Sequence, residues 1–259
     1  MTSATTRVMA VANQKGGVAK TTTVHSVASA LGALGRRVLV VDLDPQASLT
    51  RAMGIDPDRL KFSLHDVMLR RVKAAEVLLK TGDVHLLPST IDLAGAEMHL
   101  LTKTGREYVL RRALEPLLAD YDLVIVDCPP SLGILTINGL TAATEVLIPL
   151  QCDTLSQRGV SQLLETIEEV RAYTNPSLSI QGAVATMFDG RTNLAREVLS
   201  EVRARYGLEV LDPPVPKSVK VAKARGRRRT VLEHAPRSRS AAAYQALAAT
   251  LDPGETRLP

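Results

Sequence analysis

The apolar run Val8–Asn13 passes directly into Gln14-Lys15-Gly16-Gly17-Val18-Ala19-Lys20-Thr21, and a helical stretch is expected over Thr21–Leu34, closing near Gly35. A strand that hands a glycine-rich turn to the first turn of a helix narrows the fold more than any other feature of the chain. The backbone N–H groups of such a turn point inward and the helix dipole adds to the same positive field, so phosphate oxygens are held there. Gly16 and Gly17 supply the permissive backbone, Lys20 an ammonium for the β- and γ-phosphates, and Thr21 a hydroxyl for Mg²⁺. The loop departs twice from G-x-x-x-x-G-K-[ST]: Gln14 and Ala19 occupy its glycine positions, and an extra lysine, Lys15, stands inside it. The blander reading makes Lys15 a solvated charge and Gly16-Gly17 a simple turn. Lys20-Thr21 between a strand and a helix weighs against it.

The alternation continues along the chain. Arg37–Asp42, Val84–Leu87, Leu123–Asp127, Val146–Pro149 and Ile180–Thr186 read as strands. Ala94–Leu101, Glu107–Leu118, Ser161–Thr174, Leu194–Tyr206 and Ser238–Leu251 read as helices. Strands separated by helices of this length imply βαβ crossovers. The expected fold is α/β: one P-loop NTPase domain over 8–251, with a mostly parallel twisted sheet flanked by helices on both faces. Short polar tails are expected at 1–7 and 252–259. Aromatic residues make up only 3% and tryptophan is absent, so aliphatic side chains must form the core.

Two strands end on acids. Val38–Val41 runs into Asp42-Leu43-Asp44-Pro45-Gln46, and Leu123–Val126 into Asp127-Cys128-Pro129-Pro130. Carboxyl ends of strands are where α/β sheets bind ligands, and an acid there can hold Mg²⁺ directly or through water. A lone strand-end Asp is more often a turn residue; three behind one phosphate loop are harder to dismiss. Cys128 and Cys152 lack metal-ligand spacing and read as reduced thiols. The apolar runs are strand-length, far short of a membrane span, and a cytoplasmic protein is expected.

Charge is unevenly placed. Lys217–Arg239 holds nine Lys/Arg against one acid, Glu233, whereas the rest carries 23 basic and 26 acidic residues. Lys217, Lys220, Lys223, Arg225, Arg227, Arg228 and Arg229 crowd into thirteen positions without an aromatic side chain to stack bases. This composition favours phosphate contacts over base reading; its bland counterpart is a solvated charge run.

Taken together, K-G-G-V-A-K-T-T, V-D-L-D-P-Q, D-C-P-P-S-L-G, I-P-L-Q-C and M-F-D-G-R-T resemble the ParA/Soj partition ATPases, of the deviant phosphate-loop class that includes MinD and the nitrogenase iron protein. The motifs run in order from residue 8 to about 220. The resemblance implies ATP and Mg²⁺ as cofactors, an ATP-sandwich homodimer, slow ATP hydrolysis, and DNA held without sequence preference. It also implies a ParB-like partner, no membrane association, and a place on the nucleoid. By position, Lys15 matches the lysine that crosses to the partner subunit's γ-phosphate. Gly16, Gly17, Val18, Ala19, Lys20, Thr21 and Thr22 match the in-subunit phosphate cradle. Asp44 matches the residue that orients water, Asp127 the Mg²⁺-side acid, and Asp42 lies beside Mg²⁺. Pro216 and Ser218 fall where the family lines the adenine, with Ser218 in place of its usual Asn. Arg191 and Lys220 align with DNA-binding positions, while Arg158 and Lys223 each replace an acid common in the family. A MinD-like membrane regulator of division, a relative positioning a protein cargo, and a small-molecule ligase built on the same loop are the alternatives. The Ala-rich C-terminal stretch carries no basic residue from Ala241 until Arg257, unlike a basic amphipathic membrane anchor.

Overall fold

The computed structural model describes residues 6–152, 156–252 and 254. Its strands are β1 (Arg7–Val11), β2 (Val38–Asp42), β3 (Leu79–Thr81), β4 (Val84–Leu87), β5 (Leu123–Asp127), β6 (Glu145–Gln151), β7 (Ser179–Thr186) and β8 (Val210–Leu211). The helices are α1 (Lys20–Ala33), α2 (Ser48–Ala52), α3 (Leu64–Met68), α4 (Leu93–Leu100), α5 (Val109–Leu114), α6 (Ile134–Ala142), α7 (Ser156–Tyr173), α8 (Asn193–Tyr206), α9 (Val219–Gly226), α10 (Val231–His234) and α11 (Arg239–Leu251).

The strands form one sheet in the order β3-β4-β2-β5-β1-β6-β7-β8, parallel throughout except for the antiparallel edge pair β3/β4. Alternation along β1 shows how it is covered. Val8, Ala10 and Ala12 join a core with side chains of α3 through α8, whereas Met9 and Val11 join a second core with α1, α2, α10 and α11. Both faces are therefore buried, which is why these strands read as continuous apolar runs. From β1 the chain passes to β2 on one side, while β6, β7 and β8 extend on the other, so the strand order reverses beside β1. Such a reversal opens a crevice at the strands' carboxyl ends.

The anticipated helix over Glu107–Leu118 is divided. A 3₁₀ turn over Arg106–Tyr108 leads into α5, and a second 3₁₀ segment follows over Glu115–Asp120. Pro116 accounts for the second break, since proline has no N–H to donate and its ring crowds the preceding turn. The tails expected at 1–7 and 252–259 lie mostly outside the described residues, as does the side chain of Arg158, and Arg7 already belongs to β1.

Candidate nucleotide and DNA sites

Strand register brings the acids together. Asp42 pairs in register with Asp127 across β2 and β5, and Asp127 pairs with Val11 across β5 and β1, where the glycine-rich loop departs. Asn13 fixes the start of that loop. Its side chain donates to the Pro149 carbonyl (2.8 Å) and accepts from the Lys15 N–H (2.9 Å). The Thr186 hydroxyl pins the far side, donating to the Val18 (2.9 Å) and Leu150 carbonyls (3.1 Å).

Within the loop, Gly17 adopts φ +79°, and Ala19, at the second glycine position, adopts the left-handed φ 64° that glycine would take without penalty. Thus at Ala19 the loop keeps the left-handed backbone of the glycine that the pattern places there. Lys20 is buried, its ammonium folded back onto the carbonyls of Asn13 (2.8 Å) and Lys15 (3.1 Å). Burial lowers its pKa; the negative charge of Asp127 opposes that.

The two strand-end acids differ in environment. Asp42 accepts from the Thr50 N–H (2.8 Å) and hydroxyl (2.7 Å) and from the Asp44 N–H (3.3 Å); burial nonetheless raises its pKa to about 6. Asp127 is also buried, but neither of its carboxylate oxygens has a hydrogen-bond partner. Burial, then the neighbouring Asp42 charge, push its pKa well above the usual carboxylate range, with the nearby Thr21 hydroxyl and Lys20 ammonium pulling the other way. An orphaned buried carboxylate beside a second one fits a divalent cation. Among the described residues no group of three or more His, Cys, Asp or Glu side chains converges. Mg²⁺ takes one or two carboxylates and completes its shell with phosphate and water.

A cavity of about 1020 Å³ opens over the loop. Gly16, Gly17, Ala19, Lys20, Thr21, Thr22 and Asp44 line it, together with Met187, Val215, Pro216, Lys217, Ser218, Val221, Arg225 and Tyr244. Lys15, Val18, Asp42 and Asp127 are not in its wall; Val18 and the two acids are buried, and Lys15 is half-buried. Asp44 is half-buried, one oxygen closing a turn onto the Gln46 N–H. A separate cavity of about 750 Å³ lies further along α1, between His25, Lys80, Arg228, Glu233 and Gln245, and contains no loop residue. Sequence reasoning passed over Asn13, Met187 and Tyr244. Only Met187 carried a signal, as the first residue of M-F-D-G-R-T.

The seven basic residues of 217–229 are all exposed, but they border different cavities or none. α9 is capped by Ser218, whose hydroxyl accepts from the Lys220 N–H. Lys217 and Arg225 line the large cavity, Arg228 the smaller one, and Arg229 a crevice between them beside Thr21 and Thr22. Lys220, Lys223 and Arg227 are exposed and line none of these. Arg191 is exposed too, but its guanidinium grips Asp189 at 2.9 and 2.8 Å, which lowers the Asp189 pKa to about 2. Neither Cys128 nor Cys152 is in a disulfide among the described residues, and no described helix is long and apolar enough to cross a membrane.

Residues 6–180 match the AAA_31 family, an AAA domain. The sporulation initiation inhibitor protein Soj of Bacillus subtilis is 40% identical over 244 residues, spanning 93% of this chain and 96% of Soj. The chromosome partitioning protein ParA of Myxococcus xanthus is 41% identical over 243 residues, spanning 93% of this chain and 86% of that protein. Among solved structures, cobyrinic acid a,c-diamide synthase from Mycobacterium smegmatis with bound ADP and magnesium is 52% identical, with a TM-score of 0.85 over 95% of this chain and 94% of that one. It is also known with an ATP analogue and magnesium. By the AAA-domain match and by two partition relatives matched over nearly its full length, the chain belongs to the family of ParA- and Soj-type ATPases.

Proposed function

We propose that the chain is a Mg-dependent ATPase whose nucleotide state governs dimerisation and non-specific DNA binding in the partition of a chromosome or plasmid. The observation that carries the reading is the unpartnered, buried carboxylate of Asp127 beside a glycine-rich loop, left-handed at Gly17 and Ala19, that lines a nucleotide-sized cavity. Bound Mg²⁺ supplies neutralisation of the phosphate charge. Thr21 and Asp127, with Asp42 beside them, are the residues that would hold it. Lys20, already aimed across the loop, turns from the Asn13 and Lys15 carbonyls to the β- and γ-phosphates. Asp44 positions water, and the turnover it supports is slow. Pro216 and Ser218 take the base end.

Lys15 does not line its own subunit's cavity, which supports its reaching a second copy across an ATP-sandwich dimer. Lys220, Lys223 and Arg227 then form the outward DNA surface, with Lys217, Arg191, Arg228 and Arg229 at its margins. A ParB-like protein is the expected stimulating partner, and nucleoid association in the cytoplasm follows from DNA binding.

The name of the M. smegmatis relative favours a second reading, ATP-dependent amidation of a carboxylate. One experiment separates the two: ATPase rate and DNA retention are measured with ATP, with ADP and without nucleotide, with and without a candidate ParB-like protein or cobyrinic acid supplied together with ammonia or glutamine as nitrogen donor. The partition reading expects retention with ATP alone and stimulation by the protein. Retention indifferent to nucleotide removes the switch, and turnover that requires cobyrinic acid establishes the ligase.

A further inference from the structure

The helical period divides the positive charge of α9 between two faces. Ser218, Val221, Ala222 and Arg225 recur at steps of three and four, the spacing that shares one helix face, and all four line the large cavity. Arg225 is exposed, as are Lys220 and Lys223, but those two fall off the stripe and do not line the cavity. Arg225 also lines the crevice beside Thr21 and Thr22, at the first turn of α1. Its guanidinium has no hydrogen-bond or ion-pair partner among the described residues.

We propose that Arg225 is a nucleotide ligand rather than a DNA contact, and that its guanidinium meets the phosphates that are not transferred. This rests on the nucleotide reading of the cavity. The terminal-phosphate end is already furnished by Lys20, Thr21 and Asp44, and the base end by Pro216 and Ser218. Arg225 stands seven residues beyond Ser218, about 10 Å along the helix axis, enough to run from the base to the first phosphates of one nucleotide. A planar guanidinium with free donors matches phosphate oxygens bidentately. A cation on phosphates that keep their charge through the reaction binds ground and transition states alike, so its loss raises KM and leaves kcat. The same helix thereby offers one face to nucleotide and the other to solvent.

The test compares full-length wild type, R225A and R225K. MgADP affinity is read by calorimetry, and KM and kcat by steady-state ATP turnover. DNA retention is read at limiting and saturating ATP. In R225A, MgADP affinity falls about tenfold, as for loss of a charge-assisted hydrogen bond at a partly exposed site. KM for ATP rises by a similar factor with kcat within twofold, and R225K recovers part of both. DNA retention by R225A fails at limiting ATP and returns at saturation, whereas K223A loses it at every ATP concentration. Unchanged MgADP affinity in R225A, a fall in kcat at saturating ATP, or DNA retention lost even at saturation each overturns the proposal. Wild type that binds no MgADP overturns the nucleotide reading beneath it.

Discussion

Asp42 and Asp127 stand in register at the ends of adjacent parallel strands, one carboxylate held by Thr50 and the Asp44 backbone and the other without a hydrogen-bond partner. The two therefore respond oppositely to neutralisation. In nucleotide-free protein with EDTA, D127N removes a buried uncompensated carboxylate and stabilises by about 1–3 kcal/mol. D42N instead weakens the Thr50 contacts and destabilises by a similar amount. With MgATP the order reverses for Asp127: wild type gains several degrees of Tm, and D127N gains little. Thermal melts in the two buffers decide it; a D127N protein less stable than wild type in EDTA contradicts the assignment.

Ala19 keeps φ 64° where a glycine would rest. A left-handed alanine costs about 1–2 kcal/mol, and glycine loses part of that gain to its freer unfolded chain. A19G is thus expected to stabilise by about 0.5–1 kcal/mol, measurable by urea unfolding. The reciprocal change G17A, at φ +79° with open space around its Cβ position, destabilises by about 1 kcal/mol through backbone strain alone.

Gly139 on α6 is where a single methyl group disturbs the site from behind. A Cβ there would lie 2.8 Å from Cys128 Sγ and 3.2 Å from Leu43 Cδ2, the side chains that directly follow Asp127 and Asp42. Overpacking of this kind costs about 1–3 kcal/mol. G139A should therefore lower Tm and also weaken Mg²⁺-dependent nucleotide binding, because the backbone must yield at both acids. Calorimetry of MgADP on folded G139A checks the second effect; undiminished affinity would show that the strain relaxes elsewhere.

α6 itself escaped the sequence reading. Ile134–Ala142 mixes β-branched residues and Gly139 in a helix whose faces are nearly all buried, so no amphipathic period marks it. The edge strands β3 and β8 are too short to register. By contrast, β1, β2 and β5 were legible because strands buried on both faces are nearly unbroken aliphatic runs between turn residues. The phosphate loop and its two acids were legible for the same reason, each lying at the end of such a run. What linear counting obscured was placement: Lys217–Arg229 reads as one cluster along the chain, yet Arg225 lines the large cavity whereas Lys220 and Lys223, exposed like it, do not. Asn13 looked like the last residue of a strand, and only its bonds to Pro149 and Lys15 reveal it as the loop's anchor.

The C-terminal helix is fastened to α1's exit by Arg36, whose guanidinium meets both oxygens of Asp252 at 2.7 and 3.0 Å. The Arg36 hydrogen bonds hold the Asp252 pKa below its usual value. A depressed folded pKa means stability that is fully present above the unfolded value of about 4 and is lost as pH falls through the folded one. D252N should accordingly cost about 0.5–1 kcal/mol at pH 7, roughly 2 °C in Tm. The gap should close as pH is lowered below about 4. A deficit that persists at pH 2.5 would assign the loss to packing of α11, not to the ion pair.

Asp189 holds Arg191 in a two-pronged pair on an exposed loop, and this restrains the one basic side chain of the M-F-D-G-R-T segment. If Arg191 belongs to the proposed DNA surface, a phosphate must displace Asp189 to reach it. D189N removes the competing charge and leaves Arg191 in place; it should strengthen ATP-dependent DNA retention. The gain has a recognisable form. Each cation newly engaged by a duplex phosphate steepens the dependence of log affinity on log salt by about one unit. D189N should show that steeper slope, R191A a slope no steeper than wild type, and the double variant the behaviour of R191A. Retention measured between low and moderate salt, with MgADP affinity as the check on folding, distinguishes these outcomes. If D189N and wild type share one slope, Arg191 takes no part in holding DNA, and the outward face of Lys220, Lys223 and Arg227 carries the contact alone.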